Sequence, residues 1–233
     1  MTILVTGDIH GEHSIRKLSS KKMKSIEPDL TKEDYLIITG DFGLIWDGKQ
    51  SSRERWWLNW LDKKPWTTLF VDGNHENHER LDNWETCIWN GGKVHMITDS
   101  VIHLMRGQVF NLQGKKFLTM GGAASHDIEY RVPGRSWWEQ EIPSAEERNE
   151  AACNLDKHGW KVDYVITHDA PTTIANKLIY THDRSTDDFT DWLERIAGKL
   201  EFNQWFFGHH HQDTELSDGK FQAMYHDIAV IKE

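Results

Sequence analysis

The chain has 233 residues, enough for a single domain with a substantial buried core, and we expect residues 1–233 to form that one domain. Its 27 basic and 37 acidic side chains give a net charge of −10, which excludes the basic surface that nonspecific nucleic-acid binding requires. Its two cysteines have no paired spacing and no apolar run approaches the length of a membrane span, so we expect a cytoplasmic protein with no membrane partner.

Five short apolar runs each end in a polar residue that can bind a metal ion, usually next to a glycine. Runs of this length without alternation are typical of strands buried on both faces. In chain order the runs are residues 3–6, 36–39, 69–71, 164–166 and 205–207, and the polar segments that follow them are 7–10, 40–41, 72–76, 167–169 and 208–211.

Apolar residues at helical spacing predict helices between these strands, over residues 12–26, 53–61, 144–158 and 187–200. Ser144 and Glu147 have the spacing of a capping box, which supports the third helix. In the second helix Trp56, Trp57 and Trp60 fall on one face, and we expect all three rings to pack in the core.

The middle and the end of the chain have the character of antiparallel strands. Residues 94–97, 101–105, 108–111 and 116–120 are separated by tight turns, a hairpin is predicted around Asp218-Gly219, and a last strand is predicted over residues 228–231. Together the elements predict an α/β fold, a two-sheet αββα sandwich with mixed sheets and flanking helices. Its active site is expected at the carboxyl ends of the strands.

The polar residues after the strands are therefore expected to converge. In extended backbone, a spacing of two directs Asp8 and His10 to one side, and likewise His209 and His211. Carboxylate, imidazole and amide groups without a thiolate suit Mn, Fe, Zn or Ni ions. The donors are too many for one tetrahedral centre and predict two divalent ions that share a carboxylate. The converging residues are Asp8, His10, Asp41, Asn74, His75, His168, His209 and His211.

These segments resemble the five sequence blocks of the calcineurin-like metallophosphoesterase family, in the order in which that family has them. One block alone is weak support, whereas five in order are specific. They extend from residue 8 to residue 211 and consist of Asp8-Ile9-His10, Gly40-Asp41, Gly73-Asn74-His75-Glu76, His168 and Gly208-His209-His210-His211.

The resemblance implies a role for each of these residues. The first ion would be held by Asp8, His10 and His211, and the second by Asn74, His168 and His209. Asp41 would bridge the two ions. A hydroxide that bridges the ions would attack phosphorus, and His75 would donate a proton to the leaving oxygen.

One branch of the family is disfavoured. Protein Ser/Thr phosphatases carry an Asp and an Arg three and four positions after the bridging Asp, where this chain has Leu44 and Ile45. The usual Asp partner of His75 is therefore missing from this block, and Asp47 or Glu76 is a candidate to replace it.

Residues 121–142 lack periodicity, are long for a loop, and are predicted to form the wall of the substrate site. They resemble a stretch found in small bacterial and phage members of the family. Within them Arg131 and Arg135 are candidates to bind a substrate phosphate, although ordinary surface positions explain them equally well. Trp137 or Trp138 is expected either to pack in the protein interior or to stack on a nucleobase of the substrate. His95, His103, His158 and His182 are expected to be structural.

The sequence thus favours a metal-dependent hydrolase of a small phosphodiester or nucleotide. A phosphoprotein or general phosphomonoester phosphatase is the alternative. A metal-bound scaffold without catalysis is a third hypothesis, which the presence of His75 disfavours. A DNA-repair nuclease is disfavoured by the acidic balance of the chain.

Overall fold

The computed structural model describes residues 1–178 and 187–231, and His182 lies outside them. Thirteen strands are present in these ranges: β1 Ile3–Thr6, β2 Tyr35–Ile38, β3 Thr67–Phe70, β4 Thr86–Trp89, β5 Gly92–Thr98, β6 Val101–Leu104, β7 Gln108–Leu112, β8 Lys115–Met120, β9 Tyr164–Thr167, β10 Gln204–Phe207, β11 Thr214–Leu216, β12 Phe221–Ala223 and β13 Ile228–Ile231. The helices are α1 Ser20–Ile26, α2 Ser52–Asp62, α3 His78–Asp82, α4 Ala145–Lys157, α5 Thr172–Leu178 and α6 Asp188–Lys199.

The strands form two mixed sheets. The first has the order β13-β1-β2-β3-β6-β5-β4 and the second β11-β12-β10-β9-β8-β7. β1, β2 and β3 are parallel neighbours in the first sheet, as are β8, β9 and β10 in the second. The predicted α/β sandwich with two mixed sheets is confirmed.

Alternation along the strands explains the four layers. In β1, Ile3 and Val5 belong to the apolar cluster shared by the two sheets, whereas Leu4 belongs to a cluster with Leu58 and Leu61 of α2. A third cluster joins the second sheet to α4, α5 and α6. Both faces of the central strands are therefore buried, which is why these runs are continuously apolar.

The helix predicted over residues 12–26 is wrong as a single element. A 3-10 turn at Ile15–Leu18 is separated from α1 by Ser19, whose backbone is extended. The ammonium of Lys17 is buried and donates to the carbonyls of Gly7 and Asp8, so the turn lies against the end of β1. This contact requires a path that one straight helix would not follow.

The core prediction for the tryptophans of α2 also needs correction. Trp57 and Trp60 are half-buried and pack against the cluster under α2, but Trp56 is 56% exposed.

The capping box of α4 is confirmed, with Ser144 accepting from the Glu147 backbone. Within the described ranges no helix has the length and apolar character needed to cross a bilayer.

Candidate active site

The five polar segments follow β1, β2, β3, β9 and β10, so the residues come from the parallel parts of both sheets. Ion pairs join the two sheets at this edge, between Asp8 and His211 and between Asp41 and His168. Residues far apart in the chain thus touch, as His10 and His211 do over 2.9 Å. The predicted convergence at the carboxyl ends of the strands is present.

The first half of the site is built from four side chains, each with one ligand atom within 4.8 Å of the others: Asp8, His10, Asp41 and His211. Nε2 of His211 lies 3.2 Å from Oδ2 of Asp8, and Nε2 of His10 lies 3.6 Å from Oδ2 of Asp41. Both carboxylates are buried, whereas the ring of His211 is exposed. These are the residues that the sequence assigned to the first ion and to the bridge.

The second half of the site surrounds His168, whose ring is fully buried. Its Nε2 lies 3.2 Å from Oδ1 of Asp41 and 3.2 Å from Oδ1 of Asn74. The ring of His209 lies 5.0 Å from the ring of His168, and its Nε2 is 3.9 Å from Oδ2 of Asp169. Asp41 therefore contacts both halves, as a bridging carboxylate must.

The charges in the site are strongly coupled. Burial opposes ionisation of Asp41, but the imidazoles, above all His168, outweigh it and hold its pKa below the ordinary range. Burial likewise disfavours the protonated ring of His168, yet Asp41 raises its pKa to about 10. Two buried carboxylates thus attract positive charge to this position.

The donor set fits divalent metal ions. Two carboxylates, an amide oxygen and several imidazole nitrogens converge with no thiolate, and the ion pairs of both carboxylates are with imidazoles. Within the described ranges, the Asp8–His211 group alone meets the spacing of a ready metal site. In the second half, Asn74 adds an amide oxygen that lies 3.2 Å from Nε2 of His168.

The backbone at the site is left-handed, not extended as the sequence prediction assumed. His10, His209 and His211 have φ of 45°, 64° and 52°, and Asp41 has φ of 44°. Such values cost energy in residues other than glycine and are common at functional sites. The side chains of each pair converge because the chain turns tightly, and the predicted extended geometry is wrong.

Two glycines make room for the ligands. A Cβ on Gly40 would collide with the ring of His168, and a Cβ on Gly73 would collide with the carboxylate of Asp41. Gly40 also has φ of 101°, which other residues rarely adopt. The glycines therefore let neighbouring ligands approach closely.

His75 lies at the edge of both groups. Its backbone N–H donates to Oδ1 of Asp41 over 2.8 Å, and its ring meets the ring of His10 edge-on at 5.0 Å. Nη2 of Arg131 lies 3.3 Å from Nε2 of His75, while Nε of Arg131 donates to Asp127. Burial lowers the pKa of His75; Asp41 opposes this shift and Arg131 adds to it.

Glu76 does not take the place of the missing carboxylate partner of His75. It accepts from the backbone N–H groups of Phe42 and Gly43, at 2.7 Å for Phe42. It thereby fixes the chain that follows Asp41. The group that lies within hydrogen-bond distance of Nε2 of His75 is instead the guanidinium of Arg131, from the long loop.

The loop over residues 121–142 contacts the site through Arg131 and Ser125, and its role as the wall of the substrate site stays a prediction. Arg131 is largely buried beside His75, whereas Arg135 is exposed. Trp138 is buried and packs edge-on against Trp46 at 5.5 Å, so its ring is a packing element and not a platform for a base. Ser125, which the sequence reasoning missed, accepts from the Asn74 amide over 3.0 Å.

A groove of about 470 Å³ leads away from the metal-ligand residues. His10 and His75 lie at its inner end, and its walls include the half-buried rings of Trp46, Trp57 and Tyr225. The indole N–H of Trp57 donates to Glu12 over 3.4 Å, which restrains that ring. The groove combines aromatic faces with polar groups, as sites for small organic ligands do.

Comparison with known proteins gives one family. The model of the calcineurin-like phosphoesterase family matches residues 1–213. Among solved structures, a phosphopantetheinyl hydrolase from Mycobacterium tuberculosis is similar, with 15% identity, a TM-score of 0.49, and coverage of 96% of this chain and 89% of that one. No curated protein matches the chain.

Proposed function

Because the chain belongs to the calcineurin-like phosphoesterase family, we propose that it uses two divalent metal ions to hydrolyse a small phosphodiester or nucleotide in the cytoplasm. The observation that carries this proposal is the convergence of seven ligand-type residues beside His75, at the inner end of an aromatic groove. The acidic chain, with a net charge of −10, makes a long nucleic acid a poor substrate.

Each ion would have its own ligands. The first would be held by Asp8, His10 and His211, the second by Asn74, His168 and His209, with Asp41 shared, and the ions would be Mn, Fe, Zn or Ni. When bound, two such ions supply Lewis-acid chemistry and neutralise the charge of the phosphate.

The side chains around the ions have separate tasks. His75 holds a proton for the oxygen of the leaving group, and this is the role of a general acid. Arg131 holds a phosphate oxygen beside His75, because its planar guanidinium matches phosphate geometry. Arg135, although also a candidate, is exposed and lies outside this contact.

The groove selects the leaving group. Trp57 and Tyr225 offer aromatic faces a short distance beyond His75, and Glu12 and Arg53 give polar groups at the same wall. A nucleobase stacked on such a ring gains roughly 1–3 kcal/mol. A nucleoside leaving group would fill the groove, whereas a phosphorylated protein side chain would not use it.

A phosphoprotein phosphatase is less consistent with the site. Leu44 and Ile45 occupy the positions where that branch of the family has an Asp and an Arg, and both are buried. Their apolar side chains cannot donate a hydrogen bond to a phosphate. This leaves Arg131 as the guanidinium nearest to the His75 ring among the described contacts.

The test is a substrate panel on protein freed of metal and then loaded with Mn, Fe, Zn or Ni. It compares bis-p-nitrophenyl phosphate, p-nitrophenyl phosphate, cyclic nucleotides, dinucleotides and a phosphopeptide. We expect the diester or a nucleotide to give the highest kcat/KM. A higher value for the phosphopeptide would favour the phosphatase alternative, and no hydrolysis with any ion would favour the scaffold.

Two neighbouring tryptophans give a matched pair for the groove. Trp57→Ala should raise KM for the nucleotide by about 5- to 150-fold, the equivalent of 1–3 kcal/mol of stacking. The exposed Trp56→Ala should leave KM unchanged. An equal KM for the two variants would contradict the binding of a nucleobase in the groove.

A further inference from the structure

Lys17 has a buried ammonium group that the proposed function does not use. The residue is 9% exposed, and its Nζ donates to the carbonyl of Gly7 over 2.8 Å, to that of Asp8 over 3.0 Å and to that of Tyr225. An ammonium has three hydrogens and no acceptor, so the three carbonyls match its donors one for one. A lysine is rarely buried unless it is paired. The ammonium therefore joins these three points of the backbone.

The three carbonyls come from two segments that meet beside the site. Gly7 and Asp8 follow β1, whereas Tyr225 lies in the connection between β12 and β13. The segments are in close contact, because a Cβ on Gly7 would collide with the backbone of that connection. The Tyr225 ring stacks on the ring of His211, with 4.5 Å between the centroids and 19° between the planes. Lys17 thus holds both the backbone of Asp8 and the residue that supports His211.

The connection over residues 224–227 is neither strand nor helix, and charged side chains hold its backbone. The Asp213 carboxylate accepts from the N–H groups of Tyr225, His226 and Asp227 over 2.8, 2.9 and 3.0 Å. Lys17 in turn donates to the carbonyl of Tyr225. A carboxylate on the N–H groups and an ammonium on the carbonyl together fix the position of the Tyr225 ring. Lys17 differs from Asp213 in that it also binds the end of β1.

We propose that Lys17 is a positioning residue for the first metal ion. Its ammonium joins the end of β1, which carries Asp8, to the connection whose Tyr225 ring supports His211, and so keeps these two ligands at a fixed separation. The inference rests on the proposed function, in which Asp8 and His211 are ligands of the first ion. All three hydrogen bonds of the ammonium go to these two segments, so the second ion should not depend on Lys17.

The direct test measures the two sites separately, by competition for Zn²⁺ with a chromophoric chelator. His209→Ala removes a ligand of the second ion, so the first site can be measured in that variant, and His211→Ala does the reverse. Lys17→Met keeps the length of the side chain and removes its donors. In the His209→Ala background it should weaken Zn²⁺ binding by about 10- to 100-fold, as the loss of a group that orients metal ligands does. In the His211→Ala background it should leave the affinity unchanged.

Two further variants separate positioning from general damage. Lys22→Met is the matched control, because exposed Lys22 donates to the carbonyl of His226 in the same connection over 3.3 Å, and it should leave both affinities unchanged. Lys17→Gln keeps two donor hydrogens. It should weaken the first ion less than Lys17→Met does, and it serves for the same comparison if Lys17→Met does not fold. An equal loss in the two backgrounds, or an unchanged affinity in the His209→Ala background, would overturn the proposal.

The wild type distinguishes this failure from that of the proposed function. A wild type that binds two ions and hydrolyses the diester, with Lys17→Met indistinguishable from it in affinity for both ions, overturns the positioning role alone. A wild type that binds two ions and hydrolyses none of the substrates, with only the first ion weakened by Lys17→Met, overturns the proposed reaction and supports the positioning role. A wild type that binds a single ion overturns both.

Discussion

Two polar clusters share the short segment between β3 and α3, which contributes Asn74 to one and Asp72 to the other. The metal cluster contains Asp8, His10, Asp41, Asn74, His168, His209 and His211; the Asp72 cluster contains Asp72, His78, His95, His103 and Arg106. In the Asp72 cluster Arg106 donates through Nε and Nη2 to Oδ2 of Asp72, at 2.9 and 2.5 Å, and through Nη1 to Glu147. The carboxylate of Asp72 therefore lies beside the permanent positive charge of Arg106.

The metal cluster differs in the partners of its carboxylates. Asp8 and Asp41 form ion pairs with imidazoles, which are neutral at physiological pH unless a carboxylate holds their proton. The Asp72 cluster also borders a cavity of about 640 Å³, so neither histidines nor open space distinguishes the two. The two clusters differ in the partner of their buried carboxylates. In the Asp72 cluster a guanidinium balances the negative charge, whereas in the metal cluster bound metal cations can balance it.

The strongest test of this distinction is the loss of the shared carboxylate. Asp41→Asn should lose most of the bound metal and nearly all activity, because one side chain contacts both halves of the site. The fold of this variant should persist, because replacing the carboxylate with an amide reduces the buried negative charge. Metal content by mass spectrometry and the diester rate measure the effect, and retention of both ions would contradict the dinuclear site.

Chelation gives the matching control on stability. Removal of the ions from the wild type should lower its Tm, since ions at about 100 times their Kd stabilise by roughly 2.7 kcal/mol. The Tm of Asp41→Asn should respond little to the chelator. His210→Ala is not a neutral control for this measurement, because Nε2 of His210 lies 3.0 Å from Oδ1 of buried Asp169.

The next largest effect concerns His75, which lies beside the metal cluster in contact with Asp41 and His10. His75→Ala should cost about 10²- to 10⁴-fold on an alkyl phosphoester, the range for general acid catalysis. The loss on a p-nitrophenyl ester should be clearly smaller, because that leaving group departs without a proton. Both ions should remain bound. Equal losses on the two esters would indicate that His75 positions the phosphate instead.

In the Asp72 cluster the expected effect is on stability and not on metal. Arg106→Met leaves the Asp72 carboxylate buried without its main counter-charge, which costs about 3–5 kcal/mol. Lys161→Met is the control, since Lys161 and Glu201 form an exposed pair worth at most about 1 kcal/mol. Urea unfolding measures both. If Arg106→Met instead lost metal while its unfolding free energy was unchanged, the division into two clusters would be wrong.

The sequence predicted the metal cluster because its residues follow a common rule: a ligand comes directly after a short apolar strand, in four of the five segments next to a glycine. The five central strands and the sandwich followed from the same pattern. The Asp72 cluster has no such rule: Arg106 lies in a turn after β6, and its partners Asp72 and Glu147 belong to other elements. Left-handed backbone at His10 and His211 escaped prediction too, because propensity disfavours it and tertiary contacts impose it.

The smallest expected effect compares two arginines and sharpens the distinction between the clusters. Arg106 has its donors occupied by Asp72, Glu147 and the Gln140 carbonyl. Arg131 bonds through Nε to exposed Asp127 and through Nη1 to the Ser136 carbonyl, and it directs Nη2 at His75. A guanidinium with a donor directed into the site can transfer it to a phosphate oxygen. Arg131→Ala should therefore lower kcat/KM by about 10- to 100-fold, corresponding to 1.5–3 kcal/mol for a charge-assisted contact, with both ions retained. Arg135→Ala, in the same loop but exposed, should leave kcat/KM unchanged. If the two variants had the same kcat/KM, Arg131 would lie beside the His75 ring without binding the substrate phosphate.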